Sequence, residues 1–191
     1  MTEVPDQVYL QRVLDGDDNA FRFLVDRYQD MAFGLALQLL KNREDAEEVA
    51  MDAFAKCYRS LGSFKAESRF STWLYRIVYN TAISKGRKKK LTVSAIDDRI
   101  VEQAPEQDIQ SAMAQMQQEE RQKYLGLAME KLHPEDVTLV QLYYLAGRPT
   151  DEVAEITGMT VSNVKVRLHR ARKKLYFYLE RLLRDELKTL L

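Results

Sequence analysis

The sequence predicts an all-α protein of two small helical domains joined by a flexible linker, and three observations support this prediction. Apolar residues recur every three or four positions over most of the 191-residue chain, which is the period of an amphipathic helix. Glycine and proline, at 7 and 4 residues, are too scarce for a turn-rich β architecture. The helical period fades between residues 91 and 108, where the chain is polar and contains Pro105, so this stretch is interpreted as the linker.

The N-terminal domain, residues 1–90, is predicted to be a series of helices. The apolar period breaks near residues 15–17, which separates a first helix from the next. Asn42 is suited to cap a later helix, because its side chain can accept a hydrogen bond from the amide three residues on. That helix is expected to stop at Gly62. A last helix covers about residues 72–85 and ends at the glycine that follows.

The C-terminal domain, residues 109–191, is predicted to be helical as well. Pro134 is suited to begin a helix, since proline fits the first helical position and two acidic residues follow it. This helix should end near residues 146–147. Two further helices are expected, one over residues 150–157 and one that runs from Val161 toward the C-terminus.

Composition excludes several classes of protein. Lys plus Arg and Asp plus Glu both number 29, so net charge does not indicate nucleic acid, although a local basic face still acts within about 10 Å. The single cysteine, Cys57, allows no internal disulfide, and with no evident signal peptide or membrane span it favours the cytoplasm. No nucleophile–base pair, phosphate-binding glycine loop or metal spacing accompanies His133 or His169, so we expect no enzyme, cofactor or metal.

The segment from residue 151 to residue 164 has the spacing of a helix-turn-helix. Gly158 suits the turn, where a left-handed backbone is easy for glycine. Four residues are expected to face inward: Val153, Ile156, Val161 and Val164. On the helix that follows, one packed stripe is expected, formed by Val161, Val164, Leu168, Ala171 and Leu175.

The face opposite this stripe is polar and cationic, and no acidic residue occurs between Val161 and Leu175. Such a helix fits the major groove of DNA, with flanking cations on phosphates and central side chains at base edges. The candidate DNA-binding residues are Ser162, Asn163, Lys165, Val166, Arg167, His169, Arg170 and Lys173. A basic face on an ordinary helix is the alternative, but the preceding turn and the inward apolar pattern favour DNA binding.

An aromatic and basic segment occupies residues 64–80. Aromatic rings can stack on unpaired bases while nearby cations hold the backbone, so this surface is a candidate for strand opening. Its candidate residues are Phe64, Lys65, Ser68, Arg69, Phe70, Trp73, Arg76 and Asn80. The alternative is that the aromatics belong to the core, with Leu74, Val78 and Ala82 in one packed stripe and Trp73 with Ile77 in another.

The helix before this segment has two distinct faces. Its packed face is expected to hold Ala46, Val49, Ala50, Ala53, Phe54, Cys57 and Leu61. Its other face carries Glu48, Met51, Asp52, Ala55 and Arg59. Met51 and Ala55 on a nominally exposed face suggest that a helix of a partner protein packs there.

Taken together, these segments resemble the extracytoplasmic-function (ECF) group of sigma factors, the sigma-70 family reduced to two domains. Nearly the whole chain takes part. The resemblance is carried by Asp45-Ala46-Glu47-Glu48-Val49 through Phe54 and Tyr58, by Ser63-Phe64 through Phe70-Ser71-Thr72-Trp73-Leu74-Tyr75-Arg76-Ile77 and Asn80-Thr81-Ala82, and by Leu132-His133-Pro134-Glu135 through Glu152-Val153-Ala154, Val164-Lys165 and Arg170-Ala171-Arg172. The middle motif is the specific one, whereas a helix-turn-helix alone is not.

The resemblance implies the fold and the partners. The first domain would be sigma region 2, binding the β′ clamp of core RNA polymerase through Glu48, Met51, Asp52 and Ala55, and the −10 element through the loop 64–70 and the helix after it. The second would be region 4, reading the −35 element of promoter DNA with the helix from Val161. An anti-sigma factor is a further implied partner. The main alternative is a helix-turn-helix regulator that acts without polymerase.

Departures from the family pattern occur at three places. Met51-Asp52 stands where the family usually has Gln-Glu. Ser162-Asn163 replaces the usual Gly-Thr, and Arg148-Pro149 replaces the usual Leu-Ser. These differences lie on the polymerase-binding and promoter-reading surfaces, so they bear on promoter sequence and contact detail rather than on fold.

Overall fold

The computed structural model describes residues 4–88 and 117–189, with side chains described as far as residue 184. Over these residues the chain forms eight α-helices and no β-strand, which confirms the all-α prediction. They are α1 (Asp6–Leu14), α2 (Ala20–Leu40), α3 (Arg43–Ser60), α4 (Phe70–Lys88), α5 (Gln118–Met129), α6 (Pro134–Val140), α7 (Thr150–Thr157) and α8 (Val161–Thr189). The predicted linker, which includes Pro105, lies outside the described residues.

The chain divides into two compact units. The first contains α1–α4 together with Asp151–Met159, which carry most of α7. The second contains α5, α6 and α8.

In the first unit, α2, α3 and α4 pack on one another around a core of aliphatic and aromatic side chains and Cys57. On α2, α3 and α4, the most deeply buried large apolar side chains are Leu24, Val49, Leu74 and Val78. Each belongs to a helix with an apolar stripe, so burial of these stripes is the main stabilising contribution. The guanidinium of Arg27 and the hydroxyl of Tyr28, at 2.6 Å, both donate to the Asp6 carboxylate and tie α1 to α2.

The predicted start of α3 is confirmed. The Asn42 side chain accepts a hydrogen bond from the Asp45 amide at 2.8 Å, which satisfies one of the free donors of the first turn. All seven residues expected on the packed face of this segment are buried. Because a capped amphipathic helix is specified locally, the sequence was enough to define it.

Helix α4 is longer than predicted at both ends. It starts at Phe70 rather than near residue 72, and it continues through Gly86 to Lys88. Glycine inside a helix costs only about 1 kcal/mol relative to alanine, which flanking helical residues can offset. A single glycine therefore did not stop this helix.

In the second unit, α8 buries Val164, Leu168, Ala171 and Leu175 while it packs on α5 and α6. The prediction that Val161 faces inward is wrong, since 38% of its surface is exposed. Val161 is the first residue of α8 and precedes the first turn that packs.

Helix α6 begins at Pro134 as predicted and continues as a π-helical turn over Gln141–Leu145. The helical segment ends at Ala146, and Gly147 has φ of +63°, which is easy for glycine alone. The predicted end near residues 146–147 is thus confirmed. The widened turn leaves three apolar side chains more than a third exposed, namely Tyr143, Tyr144 and Leu145.

Candidate nucleic-acid and partner interfaces

The exposed face of α8 carries most of the residues predicted to bind DNA. Ser162, Asn163, Lys165, Val166, His169 and Arg170 are all exposed, and Lys173 is half-buried. The buried stripe Val164, Leu168, Ala171 and Leu175 lies on the other side of the helix. The packed and polar faces are therefore divided as the helical period predicted, apart from Val161.

Thr160 caps α8, a role that the sequence reasoning missed. Its Oγ1 accepts a hydrogen bond from the Asn163 amide at 3.2 Å. A threonine directly before an amphipathic run is itself a capping signal and was visible in the sequence. Two residues earlier Gly158 has φ of +70°, so the prediction of a left-handed turn at this glycine is confirmed.

Arg167 is placed differently from the other candidate residues of α8. Its Nη1 lies 2.8 Å from Oε2 of Glu135, and its Nε lies 2.9 Å from Oδ1 of Asp136. Both acids belong to the first turn of α6. Burial lowers the pKa of the Arg167 guanidinium, but the two carboxylates raise it by more, so the net shift is upward. Arg167 is therefore a charged contact between α8 and α6.

The loop over residues 64–69 joins a short 3₁₀ turn, Leu61–Ser63, to α4. Lys65 and Arg69 are exposed in it and Ser68 is half-buried. Ala66 has φ of +55°, a left-handed conformation that costs an L-residue roughly 1–2 kcal/mol. The loop thus presents two cations, the carboxylate of Glu67 and a hydroxyl around a strained backbone position.

The aromatic residues beside this loop form one cluster. The ring of Phe64 lies 5.0 Å from that of Trp73 and 6.0 Å from that of Phe70, centroid to centroid. Phe70 also contacts Tyr28 and is only 4% exposed, so it is a core residue. Phe64 and Trp73 are half-buried, which leaves part of each ring accessible.

Helix α4 has an exposed side and a buried side, and the remaining candidate residues lie on the exposed side. Arg76 and Asn80 are exposed, whereas Leu74, Val78 and Ala82 are buried as the core alternative predicted. Thr72 is also buried, and its hydroxyl donates to the carboxylate of Glu152 within the first unit. Helix α4 therefore combines a core stripe with an exposed polar edge.

On α3, the four residues predicted to bind polymerase are all exposed. Met51 is 73% exposed, more than any other large apolar residue that the structure describes, and Glu48, Asp52 and Ala55 lie on the same side of the helix. Met51 thus gives this face one flexible apolar side chain among small and acidic ones.

Lys85 of α4 links this face to the neighbouring helix. Its Nζ lies 2.5 Å from Oε2 of Glu48 and 3.3 Å from Oδ1 of the buried Asp45. The hydrogen bond with Glu48, followed by that with Asp45, raises the pKa of Lys85 although its burial opposes the shift. This lysine holds the first turn of α3 against α4.

Metal-binding and membrane-spanning features are absent from the described part of the chain. No group of three or more His, Cys, Asp or Glu side chains is placed to hold a metal ion there. Among the same residues, no helix is long and apolar enough to cross a membrane.

Comparison with known proteins decides the family. The Sigma-70 region 2 model matches residues 24–92, and the Sigma-70 region 4 model matches residues 122–175. The RNA polymerase sigma-H factor of Pseudomonas aeruginosa is 34% identical over 97% of this chain and 99% of its own length. The chain belongs to the ECF group of the sigma-70 family. It is a sigma factor that directs RNA polymerase in transcription initiation, and the alternative of a polymerase-independent regulator is not favoured.

Other sigma factors agree in sequence and in fold. The ECF RNA polymerase sigma-E factors of Haemophilus influenzae and Escherichia coli are 34% and 35% identical, each over 90% of this sigma factor and 93% and 92% of their own lengths. The solved structure of CnrH with the cytosolic domain of CnrY matches with a TM-score of 0.61 at 23% identity, covering 92% of this chain and 97% of the other. The sigma factor RpoE of Bartonella quintana, solved with the anti-sigma factor NepR, matches with a TM-score of 0.59 at 19% identity, covering 84% and 96%. Both solved structures share the fold.

Proposed function

We propose that this sigma factor works through three separate surfaces. The exposed face of α3 binds the β′ clamp of core polymerase, the loop 64–69 with the start of α4 holds the −10 element, and α8 reads the −35 element. On this proposal residues 1–90 form region 2, residues 109–191 form region 4, and residues 91–108 connect them.

The −35 assignment is supported by the division of α8 into a buried stripe and an exposed cationic face. Arg170 is exposed near the middle of that face, and Lys165 and His169 flank it. An arginine can contact guanine through two hydrogen bonds, worth about 1–3 kcal/mol of discrimination. Val166, 45% exposed on the same face, is suited to contact a thymine methyl group.

The −10 assignment is supported by the exposed part of the loop. Lys65 and Arg69 can hold phosphates while Ser68 offers a hydroxyl to an unpaired base. Phe64 and Trp73 supply accessible ring edges, and Arg76 and Asn80 extend the surface along α4. Phe70 is buried and packs against Phe64, so we propose that it stabilises the loop through this contact rather than stacking on DNA.

The polymerase assignment is supported by the exposed apolar and acidic character of α3. Met51 and Ala55 provide apolar contact, and Asp52 and Glu48 provide charge. Since Lys85 holds Glu48, the Glu48 carboxylate reaches polymerase in an orientation already fixed by α4.

We propose three further properties of this sigma factor. It is held inactive by an anti-sigma factor, as the solved relatives CnrH and RpoE are complexed with the cytosolic domain of CnrY and with NepR. It acts in the cytoplasm, where polymerase is found. It initiates transcription by binding alone, without a cofactor or chemistry of its own.

The −10 proposal is the most demanding of the three, and a double substitution tests it. Lys65→Ala with Ser68→Ala removes one of the two cations and the hydroxyl of the loop but spares the aromatic cluster. Stacking a base on an aromatic ring is worth about 1–3 kcal/mol, comparable to the cost of unstacking it from the duplex. We therefore expect promoter opening, followed by permanganate reactivity of unpaired thymines, to fall more than total binding in a gel shift.

A template with a pre-melted −10 bubble is the control for this test. The −10 bases are already unpaired on that template, so the double variant should differ less from the parent than it does on a fully paired promoter. If the double variant opens a fully paired promoter as well as the parent does, the loop only joins two helical segments. The unpaired base is then bound by residues of α4.

A further inference from the structure

The candidate reading helix α8 is fixed to α6 by one charged cluster. Arg167 lies between Glu135 and Asp136, with Nη1 2.8 Å from Oε2 of Glu135 and with Nε and Nη2 2.9 and 2.5 Å from Oδ1 of Asp136. The side chains of Arg167, Glu135 and Asp136 are 27%, 26% and 13% exposed. A guanidinium that engages two carboxylates has a defined plane, so its geometry is more restrictive than that of a single surface ion pair.

The backbone that carries the two carboxylates is itself held by hydrogen bonds at the start of α6. Pro134 occupies the first turn of the helix, and the His133 side chain accepts a hydrogen bond from the Glu135 amide at 3.3 Å. The Asp136 amide donates to the His133 carbonyl at 2.8 Å, and the Thr138 hydroxyl donates to the Pro134 carbonyl at 3.0 Å. Glu135 and Asp136 also lie at the positive end of the helix, where negative charge is favoured. The N-terminus of α6 thus has a hydrogen-bonded backbone that anchors the two acids.

The position of Arg167 on α8 determines what this anchor controls. Successive residues of a helix are rotated by about 100°, so a modest rotation of α8 changes which side chains face outward. Arg167 lies next to Val166 and one turn before Arg170, two exposed candidates for reading bases. The buried stripe opposes large rotations of α8, because they would expose apolar surface, and the directional contacts of Arg167 oppose the smaller ones.

We propose that Arg167 is a positioning residue that sets the rotation of α8 through Glu135 and Asp136, rather than a residue that contacts DNA. This inference rests on the proposed function of α8 as the reader of the −35 element. On this proposal, Glu135 and Asp136 of α6 contribute to the promoter specificity of α8 without contacting DNA. DNA phosphates repel acidic side chains, so a loss of promoter preference when one is removed distinguishes positioning from direct contact.

The test compares Asp136→Ala, Arg167→Ala and the double variant, with Arg170→Ala as the direct-contact control. The full-length chain is assembled with core polymerase, and the probes are a promoter fragment recovered by run-off transcription and the same fragment with a scrambled −35 element. The measured quantity is the ratio of the two affinities, at a temperature where circular dichroism shows each variant folded. A variant that is only destabilised has a smaller fraction of folded, active protein, but the ratio of its two affinities is unchanged.

We expect Asp136→Ala and Arg167→Ala each to lower the ratio roughly ten-fold, the scale on which one base-specific interaction discriminates between sequences. The double variant should be no worse than Arg167→Ala, because Arg167→Ala already removes the interaction with Asp136. These two results together support the positioning role.

If Arg167 instead contacts DNA directly, Asp136→Ala should change the affinity ratio in the opposite direction. If Arg167 binds DNA, removing Asp136 releases it, so Asp136→Ala should keep or raise the ratio while Arg167→Ala lowers it. That result overturns the proposal, as does an unchanged ratio in both single variants while Arg170→Ala lowers it. If the parent itself shows no preference for the intact −35 element, the proposed function of α8 has failed, and the positioning role is overturned with it.

Discussion

Ala66 illustrates how a single residue holds a strained conformation at a candidate site. Its φ of +55° places it in the left-handed region, where glycine carries no steric penalty. The residue is exposed in the loop 64–69, so no packing of its own methyl group offsets the strain. The neighbouring aromatic cluster and the two flanking helical segments hold the loop in this shape instead.

Ala66→Gly should therefore stabilise the protein. Relief of the left-handed penalty, roughly 1–2 kcal/mol, exceeds the added entropy of glycine in the unfolded chain, roughly 0.5–1 kcal/mol. We expect the free energy of unfolding in urea to rise by up to about 1 kcal/mol. Ala55→Gly is the matched control: it lies exposed inside α3, so it should lower that free energy by about 1 kcal/mol. A decrease for both variants would mean that residue 66 is not left-handed in solution.

Cys57 gives a prediction about pH. Burial raises the pKa of its thiol from 9.0 to about 12, because the thiolate is poorly solvated inside the protein. Native Cys57 should not react with a disulfide reagent such as dithionitrobenzoate between pH 7 and pH 9, and it should react promptly in denaturing urea. Since the folded pKa is the higher one, the stabilising effect of this group is complete below pH 9 and is lost between pH 9 and about 12. Rapid native labelling at pH 8 would contradict the buried placement.

At the residue scale, an interaction could be predicted from the sequence when its two residues are close together in the chain. The Asn42 cap was predictable because its partner amide is three residues away. The pairing of Arg167 with Asp136 was not, since 31 residues separate them and nothing in the local pattern distinguishes Arg167 from its cationic neighbours. Phe70 was predicted at a DNA surface with core as the alternative, and its ring packs between Tyr28 and Phe64.

At the scale of elements, amphipathic period predicted α3 almost completely. Its buried and exposed faces coincide with the predicted ones, because a helix of this length must bury one stripe and the stripe is visible in the sequence. The ends of α4 and the π-helical turn after α6 were not predictable in this way. Both depend on packing that overrides a weak local preference.

The exposed face of α3 supports a test with a charge reversal. Asp52 lies opposite the buried stripe, so Asp52→Arg should leave the helical circular dichroism unchanged. We expect core polymerase affinity in a pull-down titration to fall roughly ten-fold, as expected when one favourable charge pair is removed from an interface. Asp30→Arg, the same reversal at an exposed position of α2, should leave core affinity unchanged.

Two other outcomes would change the interpretation of α3. Equal core affinity for Asp52→Arg and the parent would reject this face as the polymerase surface. A loss of helical signal in Asp52→Arg, with Asp30→Arg unaffected, would instead make Asp52 a structural residue.

At the scale of the whole molecule, local charge matters more than net charge. The chain has 29 basic and 29 acidic residues, yet the segment from Val161 to Leu175 contains no acidic residue at all. Acidic side chains cluster elsewhere in the chain, for example in the first turns of α3 and α6. The basic face of α8 therefore acts on its surroundings within roughly a Debye length although the net charge is zero.

The measurement that tests the proposed function most directly is run-off transcription with core polymerase on a library of genomic fragments. The parent chain should yield discrete transcripts that core polymerase alone does not, and Arg170→Ala should lose those transcripts selectively while it still binds core. Discrete transcripts that are insensitive to Arg170→Ala would remove α8 as the reader of promoters. Failure of the parent to direct any transcript, while it binds the same fragments without polymerase, would contradict the central claim and favour a polymerase-independent regulator.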